Sequence, residues 1–139
     1  MTINEEQDLI IEKFSQLEDW LDKYEYLVEL GRKHEGVDPV IRTDQYALHG
    51  CQSQVWIYAQ NIRGKVDFRA DSDSLIIRGI LVLMLKILNQ RSPSEIVNAD
   101  LYFFKRIGLD TALSPSRANG VFSIINNMRH WGEVFSEID

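Results

Sequence analysis

Apolar residues recur at helical spacing between Glu5 and Lys33. Leu9, Ile10, Phe14, Leu17 and Leu21 lie one, three or four apart, and Trp20, Tyr24, Leu27, Val28 and Leu30 continue the stripe. Asp19 or a neighbour interrupts it, which predicts two helices, the second ending near Gly31. Residues 35–45 carry Gly36, Pro39 and polar groups and read as a loop. The period then shortens. Tyr46 to His49 reads as a short strand, followed by Val55 to Asn61 and Lys65 to Ala70. The last run alternates, predicting Val66, Phe68 and Ala70 inward and Lys65, Asp67 and Arg69 outward. Asn61-Ile62-Arg63-Gly64 between the two runs reads as a hairpin loop.

Asp71-Ser72-Asp73-Ser74 supplies N-cap candidates for a helix from Leu75 to Leu88, which is apolar nearly all round apart from Arg78 and Lys86. That pattern predicts a central core helix. Ser92-Pro93-Ser94-Glu95 has the form of a capping box with proline at the first helical position. Ser114-Pro115 opens a final helix toward Phe135. Helices, then strands, then helices, without alternation, predict an α+β class: a small three-stranded antiparallel sheet packed by helices. Residues 1–139 are expected to form one domain.

Composition narrows the function. A formal charge of -6 with no basic run disfavours nucleic acid as a partner. The acidic start, Met1 to Glu6, lacks the features of a secretory signal, and the longest apolar stretch, Gly79 to Leu85, is far too short to span a bilayer. The expectation is a cytoplasmic protein without a membrane partner. His34, His49 and His130 show no ligand spacing, so neither a metal nor another cofactor is expected.

One residue stands apart. Cys51 is the only cysteine, so it forms no internal disulfide and cannot alone build a cysteine metal site. Cysteine is commonly a buried, inert side chain. Here Gly50 precedes it and the polar Gln52, Ser53 and Gln54 follow, a pattern that suits a loop presenting a thiol. His49 lies two residues away, and an imidazolium nearby would raise the thiolate fraction. A Cys-His hydrolase would further require an orienting group and oxyanion donors, and neither is visible. Asp71 and Asp73 are explained by helix capping. Arg117, in the first turn of the last helix, opposes the helix dipole, so the readings are that it pairs with Asp71 or Asp73, faces a partner protein, or is an ordinary surface residue.

Four blocks in one order resemble the SufE family of sulfur-acceptor proteins. They are Trp20 to Leu27 with Glu29-Leu30-Gly31; Gly50-Cys51-Gln52-Ser53-Gln54-Val55-Trp56; Ala70-Asp71-Ser72-Asp73 with Arg78-Gly79; and Leu113-Ser114-Pro115-Ser116-Arg117 with Asn119-Gly120. Ser74 stands where alanine is usual in that family and Arg78 where lysine is usual. The resemblance implies the fold of the iron-sulfur scaffold proteins, IscU-like. It implies that Cys51 accepts persulfide sulfur from a PLP-dependent cysteine desulfurase, SufS-like or a CsdA-like paralogue. It further implies stimulation of that enzyme and delivery to a SufBCD scaffold. Gly50, Gln52, Ser53 and His49 would support the loop. An allosteric activator that carries no sulfur is the rival reading, and a homodimer stays open. With one thiol the chain can carry sulfur but cannot hold a cluster in the usual way.

Overall fold

The computed structural model describes residues 1–49 and 53–138. Its order is α1 (Ile3–Ser15), α2 (Trp20–Lys33), β1 (Val55–Ile62), β2 (Lys65–Ser72), α3 (Leu75–Leu88), α4 (Pro93–Asn98), α5 (Phe103–Arg106), α6 (Leu109–Ala112) and α7 (Pro115–Ile138). Ser74 and Ser92 cap their helices as expected, and Asp19, read only as a break in the apolar stripe, proves to be the cap of α2. Asp19 accepts from the Asp22 N–H, Ser74 from the Ile77 N–H, and Ser92 with Glu95 forms a reciprocal capping box.

The sheet of the described residues has two strands rather than three. β1 and β2 pair antiparallel from Val55↔Ser72 to Ile62↔Lys65, turned by Arg63 (φ 54°) and Gly64 (φ 82°). Two successive left-handed residues match the twist of the flanking strands. The expected strand over Tyr46 to His49 shrinks to one bridge, Ala47↔Trp56, with the Leu48 N–H donating to the Val55 carbonyl at 2.8 Å. The reason is local: Asp44–Tyr46 coils into a single 3-10 turn, so Tyr46 is not extended.

The alternation in β2 holds for Val66, Phe68 and Ala70 and fails for Asp67, which is buried rather than outward. After α3 the chain folds back over this strand. Val66 bridges Arg91, the Phe68 N–H donates to Asn89 Oδ1 at 2.7 Å, and Gln90 Nε2 donates to Asp67 Oδ1 at 2.6 Å. A buried carboxylate survives because it is paired, here also with Arg69 Nε at 3.2 Å.

Helix α3 is the core, with Ile77, Ile80, Leu81, Leu83, Met84, Ile87 and Leu88 buried. Helix α2 crosses it at two glycines. A Cβ on Gly31 would strike the Leu75 carbonyl oxygen, and one on Gly79 would strike the Leu27 carbonyl oxygen. Helix α1 does not use every apolar residue of its stripe: Leu9 is 51% and Leu21 of α2 65% exposed. Only Ile3, Gln7, Ile10 and Phe14 of α1 are buried. The polar member of that set, Gln7, spends both ends of its amide, donating to the Asp100 carbonyl at 2.9 Å and accepting from the Phe103 N–H at 3.1 Å.

These contacts rank two glycine substitutions. Gly79→Ala should destabilise the protein by about 2 kcal/mol, as overpacked core substitutions do, because the obstacle is backbone. Gly64→Ala meets nothing within 4 Å and carries only the left-handed penalty, about 1 kcal/mol; urea denaturation of the two variants checks the order. Hydrogen bonds from Ser92, backbone then side chain, hold the Glu95 carboxyl below its ordinary 4.5. A carboxylate lowered in the folded state stabilises above its unfolded value, and that stability is lost as pH falls through the folded value. Glu95→Gln should therefore lower the melting temperature at neutral pH and have no effect in strong acid.

Candidate functional site

Gly50, Cys51 and Gln52 lie outside the described residues, and so do the sequence expectations placed on them. The structure does describe both ends of the segment that carries them.

The exit end is fastened to the start of α3. The Gln54 N–H donates to Asp73 Oδ1 at 3.0 Å, and the Gln54 carbonyl accepts from Ser72 Oγ at 2.7 Å and from the Asp73 N–H at 3.3 Å. Ser72 Oγ in turn accepts from the Ser74 N–H at 3.2 Å. Asp73 is thus not the cap of α3, which is Ser74; its carboxylate fixes the residue two places after the sequence segment 50–52. The polar run Asp71 to Ser74 divides its work between a helix start and a loop end.

The entry end is held by residues 35–49, a strap laid along β1. His34 Nε2 hydrogen-bonds the Ala70 carbonyl at 2.8 Å, and Arg78 Nη2 donates to the His34 carbonyl. Gly36 (φ 80°) sits so close that a Cβ would lie 2.8 Å from Asp71 Oδ2. Arg42 then reaches back, its Nε 3.8 Å from Asp71 Oδ2 and its guanidinium 4.6 Å from the centre of the Trp56 ring. Tyr46 packs edge-on against Tyr58, centroids 5.3 Å apart, before the Ala47↔Trp56 bridge.

Asp71 is the hub of this arrangement. It is 4% exposed and its Oδ1 lies 3.0 Å from Arg78 Nε. The approach is off-line for a hydrogen bond, which leaves Arg78 Nε without a formal acceptor, so the contact is Coulombic. Asp71 Oδ1 also accepts from the Ser72 N–H at 2.8 Å.

Ser53, next along the chain, borders a recess lined also by Val55, Ile77, Ser116, Arg117, Gly120 and Ile124. The free space is about 10 Å3, room for roughly one water. Arg117 is therefore beside the segment that carries Cys51, at the start of α7. The expected pairing of Arg117 with Asp71 or Asp73 is not formed: Asp71 is taken by Arg78 and Arg42, and Asp73 by Gln54. Among the described residues the Arg117 guanidinium has no ion pair. His49 is exposed, and among the described residues no group hydrogen-bonds its ring, so no orienting partner for a Cys-His pair is assembled there.

The sequence profile of SufE, described as an Fe-S metabolism associated domain, matches residues 8–131. That span is most of the chain. This chain belongs to the SufE family. A solution structure of a hypothetical protein from Thermus thermophilus has the same fold, with a TM-score of 0.73 over 92% of this chain and 93% of that one, at 19% sequence identity. Among the described residues of this SufE-family chain, no helix is long and apolar enough to cross a membrane.

Sequence reasoning put Ser53 in the loop, gave Arg117 a partner surface as one option, explained Asp71 and Asp73 by helix capping, and missed His34, Gly36 and Arg42 as supports of the site. Gly36 was visible as a turn. Nothing local marks Arg42, whose partner lies 29 positions away (71 minus 42). Removing the hub should expose its importance. Asp71→Ala leaves Arg78 without its carboxylate in the enclosed half of the hub, and loss of one partner of a buried pair costs about 3 kcal/mol. Asp73→Ala, at an exposed position, should cost about 1 kcal/mol, one charged hydrogen bond. Thermal and urea melts of the two variants measure the difference.

Proposed function

We propose that this chain carries sulfur, taking sulfane sulfur from a cysteine desulfurase onto Cys51 and passing it to a scaffold of the SufBCD kind for iron-sulfur assembly. One observation carries this reading: a family tied to Fe-S metabolism spans residues 8–131, including the only thiol in the chain. The described neighbours support it: Leu48 before the segment and Gln54 after it are both hydrogen-bonded to the fold, so the chain enters and leaves 50–52 from anchored residues.

The chemistry is one exchange. The Cys51 thiolate attacks the outer sulfur of a persulfide on the desulfurase. A new S–S bond forms to Cys51, the old one breaks, and the desulfurase cysteine leaves as thiolate. The persulfide proton stays on the outer sulfur and no net oxidation occurs. Clearing that cysteine lets the enzyme begin its next turnover, so stimulation of the desulfurase belongs to the same proposal. The desulfurase supplies the PLP chemistry; this chain supplies a nucleophile and its placement. SufS-like and CsdA-like enzymes both satisfy that chemistry.

Arg117 is proposed to face the docked desulfurase. It is half-buried at the rim of the recess beside Ser53 and has no ion pair among the described residues, so a carboxylate of the partner would complete it. His49 is proposed only to border the loop. We place residues 1–139 as one SufE-like domain acting in the cytoplasm.

Intact mass of the chain after incubation with a cysteine desulfurase and cysteine is the direct test. The wild type should gain the mass of one sulfur atom, removable by reductant, and peptide mapping should place it on Cys51. Cys51→Ser should gain nothing and should abolish stimulation while melting as the wild type does, since the hydroxyl is un-ionised at neutral pH and holds no sulfane sulfur. Stimulation retained in Cys51→Ser would instead favour an allosteric activator. Turnover of a small acyl substrate by the chain alone would favour a hydrolase.

A further inference from the structure

On the other side of α7 lies a groove of a different character. It is about 460 Å3 in volume, and Leu101, Tyr102, Phe104, Phe122 and Ile125 give it an apolar floor. Phe122, edge-on to Phe104 at 5.1 Å, is 42% exposed within it. Around the floor stand Lys105, Arg106 and Arg129 against a single carboxylate, Asp100, in a chain whose net charge is -6. Among the described residues none of these four makes an ion pair. Arg106 lies 5.9 Å from the centre of the Tyr102 ring.

Arg129 gives the groove its chemistry. Of its five donors, Nη2 bonds the Ala99 carbonyl at 3.1 Å, while the enclosed Nε has no acceptor among the described residues. A planar guanidinium with donors to spare beside an exposed aromatic ring suits a carboxylate borne on an apolar body. Its volume suits such an occupant, falling within the range of small-molecule sites, roughly 300–1,000 Å3.

We propose that this groove, between α5 and α7, binds a small organic carboxylate whose aromatic or aliphatic body packs on Phe122 and whose charge is met by Arg129 and Lys105. The site is separate from the Cys51 segment. On a helix of about 3.6 residues per turn, Arg117, Gly120 and Ile124 fall on one side of α7 and Phe122, Asn126 and Arg129 on another. The proposal needs no assumption about sulfur transfer.

Titration of the full-length isotope-labelled chain with phenylpropionate, followed by amide chemical shifts, tests it. Phenylpropionate should give saturable shifts confined to Phe122, Ile125, Asn126, Arg129 and the α5 segment. Its neutral analogue phenylpropionamide should bind about tenfold more weakly, the worth of one charged hydrogen bond. Arg129→Gln should lose a similar factor, and Phe122→Ala should weaken acid and amide alike. The acid–amide comparison on the wild type stands even if a variant fails to fold. Equal affinity for acid and amide, shifts centred elsewhere, or no saturation would each overturn the proposal. Mass-tagged Cys51 plays no part in the readout, so failure here leaves the sulfur-carrier reading untouched.

Discussion

Two helices meet backbone to backbone, and the rest of the molecule is arranged around that contact. Gly31 of α2 lies against the Leu75 carbonyl and Arg78 Cβ of α3, and Gly79 of α3 lies against Leu27 of α2. Side chains normally hold packed helices about 8–10 Å apart; two facing glycines let them come closer. Close approach sets the end of α2 beside Arg78. From there the chain must leave along β2, because His34 is bound at both its ring and its carbonyl, to Ala70 and to Arg78. The route of residues 35–49 to the functional segment begins at this crossing.

The segment carrying Cys51 is fastened by two kinds of force. At its exit the ties are hydrogen bonds among Gln54, Ser72 and Asp73, short and directional. At its entry they are the Leu48 N–H bond to the Val55 carbonyl at 2.8 Å and, farther back, an ion pair and a ring contact made by Arg42, whose side chain is 43% exposed. Exposed ion pairs are worth at most about 1 kcal/mol and are screened by salt. The Arg42 contacts are thus the weaker of the entry ties. The entry end rests on a charge hub whose inner half, Asp71 with Arg78, is enclosed and whose outer half is open to water.

Helix α7 serves two regions with one element. Its N-terminal side borders the recess beside Ser53, while the side carrying Phe122 and Arg129 faces α5. Burial of Val121, Ile124 and Met128, on the flank that Ile124 shares with the recess, anchors the helix to the core. A long helix anchored along one stripe can carry unlike chemistry elsewhere on its surface.

Local rules were enough for much of this protein. Caps at Asp19, Ser74 and Ser92, the Arg63-Gly64 turn and the apolar run of α3 are decided by neighbours within four residues, so the chain states them directly. The four sequence blocks with Cys51 likewise carried the family. The third strand failed because the turn at Asp44–Tyr46 competed with extension, and Asp67 failed because residues 89–91, far along the chain, cover its strand. Leu9 and Leu21 stayed in water because periodicity says which residues share a face, not which face finds a partner. Arg117 lacked the carboxylate expected for it because Asp71 was already claimed by Arg78 and Arg42. Short-range patterns follow from local sterics and hydrogen bonding; competition among partners distant in sequence is settled only when the chain closes on itself.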